Sequence, residues 1–377
     1  MTKFPNAKQL FSTVTDGGQL VLSIEPDTVP APAEDELVVA MEAVPINPSD
    51  LGLLLAPANM ETLRREERDG CPALVADVNP KIMRVFAGRI GKKLRCGNEG
   101  AGTVIAAGSS PHAQALMGKV VSIVGGQMFR THRVMKAAMA APLPEGACAR
   151  EGASLFINPM TAQAFLQTMR SEGHTAIVHT AAASNLGQML AKLCLAEKVP
   201  LVAIVRSETQ KTRLLDLGLT HVVNSSDDAF FNQLVAALTE TGATLGFDAI
   251  GGGKMADQIL TAMEVAAAKR GAKFSVYGSV DHKQVYIYGR LDTGKTILGA
   301  GYGMYWGVGG WLLTPRLSAV DKQVMLEMRM RTIAERNGIF ASNYSREISL
   351  DDMIDPEIAR AYQRKATGEK FLVNPRR

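Results

Sequence analysis

Cysteine is scarce in this chain, and Cys71, Cys96, Cys148 and Cys194 are too scattered to pair by spacing. That excludes a disulfide-stapled scaffold and fits reduced thiols in a cytoplasmic protein. No apolar run reaches the length of a membrane span, and Met1-Thr2-Lys3-Phe4-Pro5-Asn6 lacks the apolar core of a secretory signal. Lys and Arg never cluster with interleaved aromatics, and the net charge of +4 is small. No nucleic-acid partner and no membrane partner is therefore expected. The histidines (His112, His132, His174, His179, His221, His282) show no paired ligand spacing, so no metal is expected.

The most telling shortage is of glycine, at one place. After the apolar run Thr175-Ala176-Ile177-Val178-His179, a nucleotide-binding unit would carry a G-x-G-x-x-G turn. Here the chain reads Thr180-Ala181-Ala182-Ala183-Ser184-Asn185-Leu186-Gly187. Only Gly187 remains, where a helix must pack closely on what precedes it. At the end of the next apolar run stands Arg206. An acidic residue there would hold the ribose 2′-hydroxyl of NAD; an arginine suits the 2′-phosphate of NADPH.

What is present is enough material for two domains, with 377 residues and 46% apolar side chains. Residues 1–150 read as short strands broken by turns, with Leu37–Met41, Gly102–Ala106 and Val120–Val124 the clearest. Residues 151–310 alternate strands and helices, the pattern of a parallel α/β sheet. Helical spacing is clear at Leu186, Met189, Leu190 and Leu193, and at Phe231, Leu234, Val235 and Leu238. Strands are expected at Leu201–Val205, His221–Val223, Phe247–Ile250 and Phe274–Tyr277. Residues 311–377 turn helical and charged and end on a strand-like Phe371-Leu372-Val373. Within Met60–Arg95 lies a charge run, Glu61 to Asp69. Its i,i+4 pair Glu61 and Arg65 and i,i+3 pair Arg64 and Glu67 predict a solvated helical insert, with a lid over a substrate pocket as the alternative.

Four segments in register resemble the zinc-free medium-chain dehydrogenase/reductases. Ile46-Asn47-Pro48-Ser49-Asp50 is similar to their N-P-x-D motif, and Gly97-Asn98-Glu99-Gly100-Ala101-Gly102 to their G-x-E-G-A-G segment. Ile157-Asn158-Pro159-Met160-Thr161-Ala162 resembles their N-P-x-T-A run. The tail Lys365-Ala366-Thr367-Gly368-Glu369-Lys370-Phe371-Leu372-Val373 resembles the R-x-T-x-G-K-x-L-L ending of the quinone oxidoreductase branch. The resemblance implies an α/β protein with a GroES-like β-barrel catalytic domain, completed by the returning C-terminal segment, and an inserted Rossmann nucleotide-binding domain. Its nearest branches are the NADPH:quinone oxidoreductases and the 2-enoyl thioester reductases.

Where alcohol dehydrogenases of the superfamily place metal-binding Cys and His, this chain has Asn47 and Asn98, and the third ligand would fall near Ile157. Amides and an isoleucine are not zinc ligands. Without a Lewis acid, a quinone or an activated alkene is the easier hydride acceptor, because its developing charge delocalises. Asn47 is the candidate donor to the acceptor's carbonyl oxygen, with a role as a turn residue before Pro48 as the alternative. Enoyl thioester reductases carry a tyrosine just after N-P-S-D; Leu51-Gly52-Leu53-Leu54-Leu55-Ala56-Pro57 has none.

The resemblance also implies the cofactor residues. Thr161 would approach the nicotinamide end, with N-capping as its alternative. Ala182, Ala183, Ser184, Asn185 and Leu186 would form the turn under the pyrophosphate, Asn185 taking the positive φ of a missing glycine. Arg206 and Ser207 would meet the 2′-phosphate, with Lys211 swinging in. Asn224 and Gly251 would border the adenosine, and Tyr277, Gly278 and Ser279 would end the strand nearest the nicotinamide. Lys365 falls where the tail places an arginine near the cofactor. By the same analogy Gly299–Trp311 would form a homodimer contact. The expected activity is NADPH-dependent reduction of a quinone or enone. The alternatives are a 2-enoyl thioester reductase and a weakly catalytic NADP-binding interaction protein.

Overall fold

The structure, a computed structural model, describes residues 4–273, 275–364 and 367–377. The chain divides into two units. One runs to Ile157 and resumes at Ile333, and the other is Asn158–Thr332.

The first unit opens with β1 (Lys8–Val14), β2 (Gln19–Pro26), β3 (Glu36–Pro45), a single turn α1 (Leu51–Leu54), β4 (Arg64–Arg68), β5 (Cys71–Asp77) and β6 (Leu94–Arg95). It continues with β7 (Glu99–Ala107), α2 (Pro111–Gln114), β8 (Val120–Val124), β9 (His132–Lys136), β10 (Ala140–Pro142) and α3 (Ala149–Gly152). One antiparallel sheet has the order β4-β5-β2-β1-β6. Strand β3 is the spine of a second sheet, and Leu37–Met41 within it are buried on both faces. That explains why its apolar run does not alternate.

The charge run departs from the helical expectation. Met60–Thr62 form a 3₁₀ turn, and Arg64–Arg68 is strand β4, paired antiparallel with β5. Two features override the i,i+4 charge pattern. Asp69 and Gly70 both take left-handed φ, 52° and 73°, which is the geometry of a tight hairpin turn. Strand β5 buries Ala73, Leu74, Val75 and Ala76 and needs a partner for its outer edge. The charges then pair along the strand, Arg64 and Arg68 on either side of Glu66.

The second unit begins with α4 (Ile157–Ser171), then β11 (Ile177–His179), α5 (Asn185–Glu197), β12 (Leu201–Val205), α6 (Glu208–Asp216) and β13 (His221–Asn224). After these come α7 (Phe230–Thr241), β14 (Leu245–Asp248), α8 (Met255–Lys269), β15 (Lys283–Ile287), β16 (Trp306–Gly310), α9 (Leu313–Ser318) and α10 (Lys322–Ala334). All six strands are parallel in the order β13-β12-β11-β14-β15-β16. The order reverses between β11 and β14, and a ligand crevice is expected outside the carboxyl ends there. Leu234, Val235 and Leu238 of α7 and Ile259, Leu260 and Met263 of α8 pack on Val178, Val202 and Ile204 of the sheet.

Among the described residues Ser275–Tyr277 no strand forms. Phe274 lies outside the described residues, Val276 and Tyr277 sit in a turn, and the fifth strand is Lys283–Ile287. The unit boundaries also differ from 150 and 310. Residues 311–332 stay with the Rossmann unit because they bond to its helices: Trp311 Nε1 donates to Thr168 Oγ1, and Gln163 Nε2 donates to Met328 O and Thr332 Oγ1.

The return segment contributes β17 (Arg346–Ile348), α11 (Leu350–Met353), α12 (Pro356–Gln363) and β18 (Phe371–Val373). Strand β18 pairs antiparallel with β3 and parallel with β17, completing the order β10-β8-β7-β3-β18-β17. Leu350, Met353, Tyr362, Phe371 and Val373 join the core formed by β1, β2 and β3. Among the described residues no helix is long and apolar enough to cross a membrane.

Candidate active site

In the first unit, Asn47 follows β3 and is only 1% exposed. Its backbone N–H donates to Asp50 Oδ2 at 2.8 Å, which closes the turn before α1. Its side-chain Nδ2 donates to Glu99 Oε1 at 2.8 Å, and its Oδ1 is buried without a donor. Asn98 is held differently, with Nδ2 donating to Ser49 Oγ at 3.0 Å. Glu99 begins β7, and its other oxygen accepts from the backbone N–H groups of Phe156 and Ile157, both at 2.9 Å. Lys370, buried just before β18, donates to Ser154 Oγ at 2.8 Å, and Tyr344 Oη lies 2.9 Å from the same oxygen.

Burial sets the protonation of this cluster. Loss of solvation pushes the Asp50 carboxyl up to about 7, with the nearby Glu99 charge adding to the rise. Burial also raises Glu99, against the pull of the Lys370 charge and the donors on its oxygens. Lys370 is brought down to about 8 by the same desolvation, against the opposing pull of Glu99 and Asp50. Asn47 and the N-P-S-D turn were legible in the sequence. The influence of the Lys370 charge on Glu99 was not, because no local pattern joins residues so far apart, although both lie in quoted motifs.

In the second unit, the degenerate turn joins β11 to α5 at the carboxyl edge of the sheet, beside the switch point. Ser184 caps the helix, its Oγ accepting from Gly187 N at 3.1 Å. A Cβ on Gly187 would lie 2.2 Å from Ala182 O, so only glycine allows the helix to approach the turn. Asn185 does not take positive φ; it is the first residue of α5, and the left-handed residue is Ala181, with φ 49°. Ala182 and Ala183 are buried, whereas Ser184, Asn185 and Leu186 are partly exposed. Thr180 Oγ1 donates to Asp248 Oδ1 at 2.8 Å and accepts from Ala249 N at 2.8 Å, tying the turn to the end of β14.

Arg206 directly follows β12 with an exposed side chain. Ser207 caps α6, its Oγ accepting from Gln210 N. Lys211 is half-buried on the first turns of α6, with its charge felt by Asp227. Asn224 ends β13 and gives its amide to Glu208 Oε1 at 2.7 Å. Gly251 has φ 78°, and a Cβ there would stand 2.7 Å from Gly289 O. Thr161 lies inside α4 and is buried, so it is not an N-cap.

Tyr277, Gly278 and Ser279 are not at this edge. They precede the amino end of β15, where Ser279 bonds to Glu264 and buried Lys283. The residues leaving the carboxyl end of β15 are Tyr288 and Gly289, a second Tyr-Gly pair that the sequence reading passed over. Tyr288 Oη lies 2.8 Å from His179 Nε2 at the end of β11. Burial holds His179 down to about 3, so its imidazole is neutral. Lys365 lies outside the described residues. Among the described residues no group of three or more His, Cys, Asp or Glu could hold a metal ion.

With both halves described, the chain can be compared with known proteins. A crystal structure of a protein assigned as an NADPH:quinone reductase, from Mesorhizobium loti, superposes with a TM-score of 0.73 over 100% of both chains, at 23% identity. A mutant form of the enoyl thioester reductase from Candida tropicalis gives 0.66 over 98% of this chain and 99% of its own, at 16% identity. The fold is theirs. The GroES-like barrel with a Rossmann unit, implied by the motifs, is the architecture of the chain, and its neighbours belong to the two branches those motifs resemble. Among curated sequences, the mitochondrial enoyl-[acyl-carrier-protein] reductase of Mus musculus is 28% identical over 164 residues, which is 41% of this chain. The match spans 44% of the mouse protein's length. No family model matches the chain.

Proposed function

We propose that the chain is an NADPH-dependent oxidoreductase, transferring hydride to a quinone or an activated alkene without a metal. The observation that carries this reading is the pairing, at the carboxyl edge of one parallel sheet, of the close-packed turn before α5 with an exposed arginine after β12. The cofactor, when bound, supplies the hydride. The amino end of α5, with Ser184, Asn185 and Leu186 partly exposed, offers N–H groups and a positive dipole to a pyrophosphate. Arg206 presents a guanidinium fork to a 2′-phosphate, and the Ser207 hydroxyl can donate to the same group while its oxygen caps α6. Asn224 supports this corner indirectly by holding the Glu208 carboxylate. Gly251 and Gly289 let the loops after β14 and β15 come together beside the turn. Thr161, buried in the first turns of α4, is the polar group that the family resemblance assigns to the nicotinamide end.

On the barrel side, Asn47 has one amide hydrogen on Glu99, which leaves the other for the carbonyl oxygen of an acceptor. Asn47 and Asn98 are neutral amides bonded to Glu99 and Ser49, a donor set suited to a carbonyl and not to zinc. The second reading is a 2-enoyl thioester reductase, favoured by the mouse relative. A homodimer is part of the proposal by the family resemblance, and a cytoplasmic location by the scattered thiols. The test is NADPH consumption against quinones, 2-enones and 2-enoyl thioesters, with and without a chelator. Turnover of quinones or enones in chelator supports the leading reading, and turnover of thioesters alone selects the second. NADPH binding with no turnover of any acceptor would favour a binding protein instead.

A further inference from the structure

The hydrogens of one buried pair do not balance. Tyr288 Oη lies 2.8 Å from His179 Nε2, while His179 Nδ1 is buried with no partner among the described residues. Burial holds the imidazole down to about 3, so it is neutral, and burial also raises the Tyr288 phenol. A neutral imidazole and a neutral phenol carry one hydrogen each, and the single contact between them takes up one. The other needs an acceptor that neither group supplies. On Nδ1 it would be stranded, because His179 is 0% exposed and enclosed by the rings of Phe165 and Tyr288. Stranded buried N–H groups are rare and costly. On the hydroxyl it can swing about the C–O bond, and Tyr288 keeps part of its surface open. The balance therefore has Nε2–H donating to Oη and leaves the Tyr288 O–H free to donate.

Strand order says what comes near that hydrogen. His179 ends β11 and Tyr288 directly follows β15, so the pair bridges the carboxyl end of β14, beside the point where the strand order reverses. Arg206 follows β12 on the other side of β11, and the turn proposed for the pyrophosphate begins directly after His179. A dinucleotide with its 2′-phosphate at Arg206 and its pyrophosphate at that turn must carry its nicotinamide toward β14 and β15. We propose that the Tyr288 hydroxyl orients the cofactor by donating its hydrogen to the carboxamide oxygen of the nicotinamide, and that His179 is the positioning residue that leaves this hydrogen free. This rests on the reading of the chain as an NADPH-dependent reductase. A held carboxamide fixes which face of the nicotinamide ring is turned to the acceptor.

The surroundings leave the hydroxyl no other acceptor among the described residues. Asp248 is the carboxylate whose field reaches the phenol. Its oxygens already accept from Thr180 Oγ1 and from the N–H groups of Ile250 and Gly251, and none of its bonds is to Tyr288. Phe165 stands edge-on to the Tyr288 ring at 4.9 Å and stacks on Phe247 at 3.9 Å, an apolar wall that fixes the phenol without offering an oxygen. Thr161 lies one helical turn before Phe165 on α4, on the same face. The polar group assigned to the nicotinamide end and the free phenol hydrogen thus approach one region from two elements.

The experiment reads the imidazole and the cofactor separately. In the free protein carrying ¹⁵N-labelled histidine, with His179 assigned by its loss in His179→Leu, NMR should show Nε2 protonated and Nδ1 bare. Calorimetry should show Tyr288→Phe binding NADPH about 5- to 10-fold more weakly, the worth of one neutral hydrogen bond. The same variant should bind 2′,5′-ADP, which has no nicotinamide, as tightly as the parent. Tyr288→Phe also strips His179 of its partner and should melt at a lower temperature. His179→Leu/Tyr288→Phe removes both polar groups and should recover the melting temperature while keeping the weak NADPH affinity. A purely structural pair would recover both. An Nδ1–H tautomer, or native NADPH affinity in the folded double variant, would overturn the proposal. If the parent binds neither NADPH nor 2′,5′-ADP, the cofactor reading itself falls and takes the proposal with it.

Discussion

At the scale of single residues, Arg206 and Asp50 carry the sharpest consequences. Arg206 is exposed after β12, next to the cap Ser207, and on the proposed reading its charge would distinguish NADPH from NADH. Arg206→Ala should weaken NADPH binding by about 10- to 100-fold, the worth of one or two charge-assisted hydrogen bonds. Titration calorimetry with both cofactors should show NADH affinity unchanged. Asp50 is buried and its carboxyl is pushed up to about 7 from 3.8. Between those values the folded state holds a proton that the unfolded chain has released, so this group's contribution to stability falls as pH rises from about 4 to about 7. Asp50→Asn keeps an acceptor for Asn47 N–H and removes the charge. Thermal melts should show the variant at least as stable as the parent at pH 8, by up to a few kcal/mol on the order given by the shift, with the difference closing toward pH 4.

At the scale of elements, two turns decide how neighbouring segments pack. Gly187→Ala puts a methyl group 2.2 Å from Ala182 O. The helix must move off the turn, at a cost of about 1–3 kcal/mol in urea unfolding. NADPH should bind at least about tenfold more weakly, because the helix end and the turn shift together. Gly70→Ala forces a side chain into φ 73° in the β4–β5 hairpin and should cost about 1–2 kcal/mol without touching the cofactor. That hairpin shows why the charge run misled. Period-based reading weighed i,i+4 charges, while the Asp69-Gly70 turn and the buried face of β5 settled the structure. The same holds for Tyr277 and Tyr288. Both begin a Tyr-Gly pair, and only the strand register, fixed when β15 pairs with β14 and β16, tells which pair leaves the carboxyl edge. By contrast, Leu201–Val205 was readable as a continuous apolar run because it is buried throughout, and the stripes of α5 and α7 because burial on one face writes the helical period into the sequence.

At the scale of the whole molecule, the order of motifs gave the architecture and the Rossmann strand order gave the place of the crevice. Asn47 and Arg206 stood out as local departures from an expected residue type, and Gly187 as the one expected glycine that remains, where a Cβ would meet Ala182 O. The influence of the Lys370 charge on Glu99 was not legible, since it exists only once β18 returns to pair with β3. The central claim is that this chain moves hydride from NADPH to an organic acceptor without a metal. Its most direct test is single-turnover oxidation of stoichiometric NADPH, in chelator, with quinones, 2-enones and enoyl thioesters, comparing NADPH with its analogue deuterated at the transferable position. The account predicts loss of the reduced nicotinamide absorbance with at least one acceptor, slowed by the deuterium. Tight NADPH binding with no oxidation by any acceptor, or oxidation that returns only when zinc is added, would contradict it.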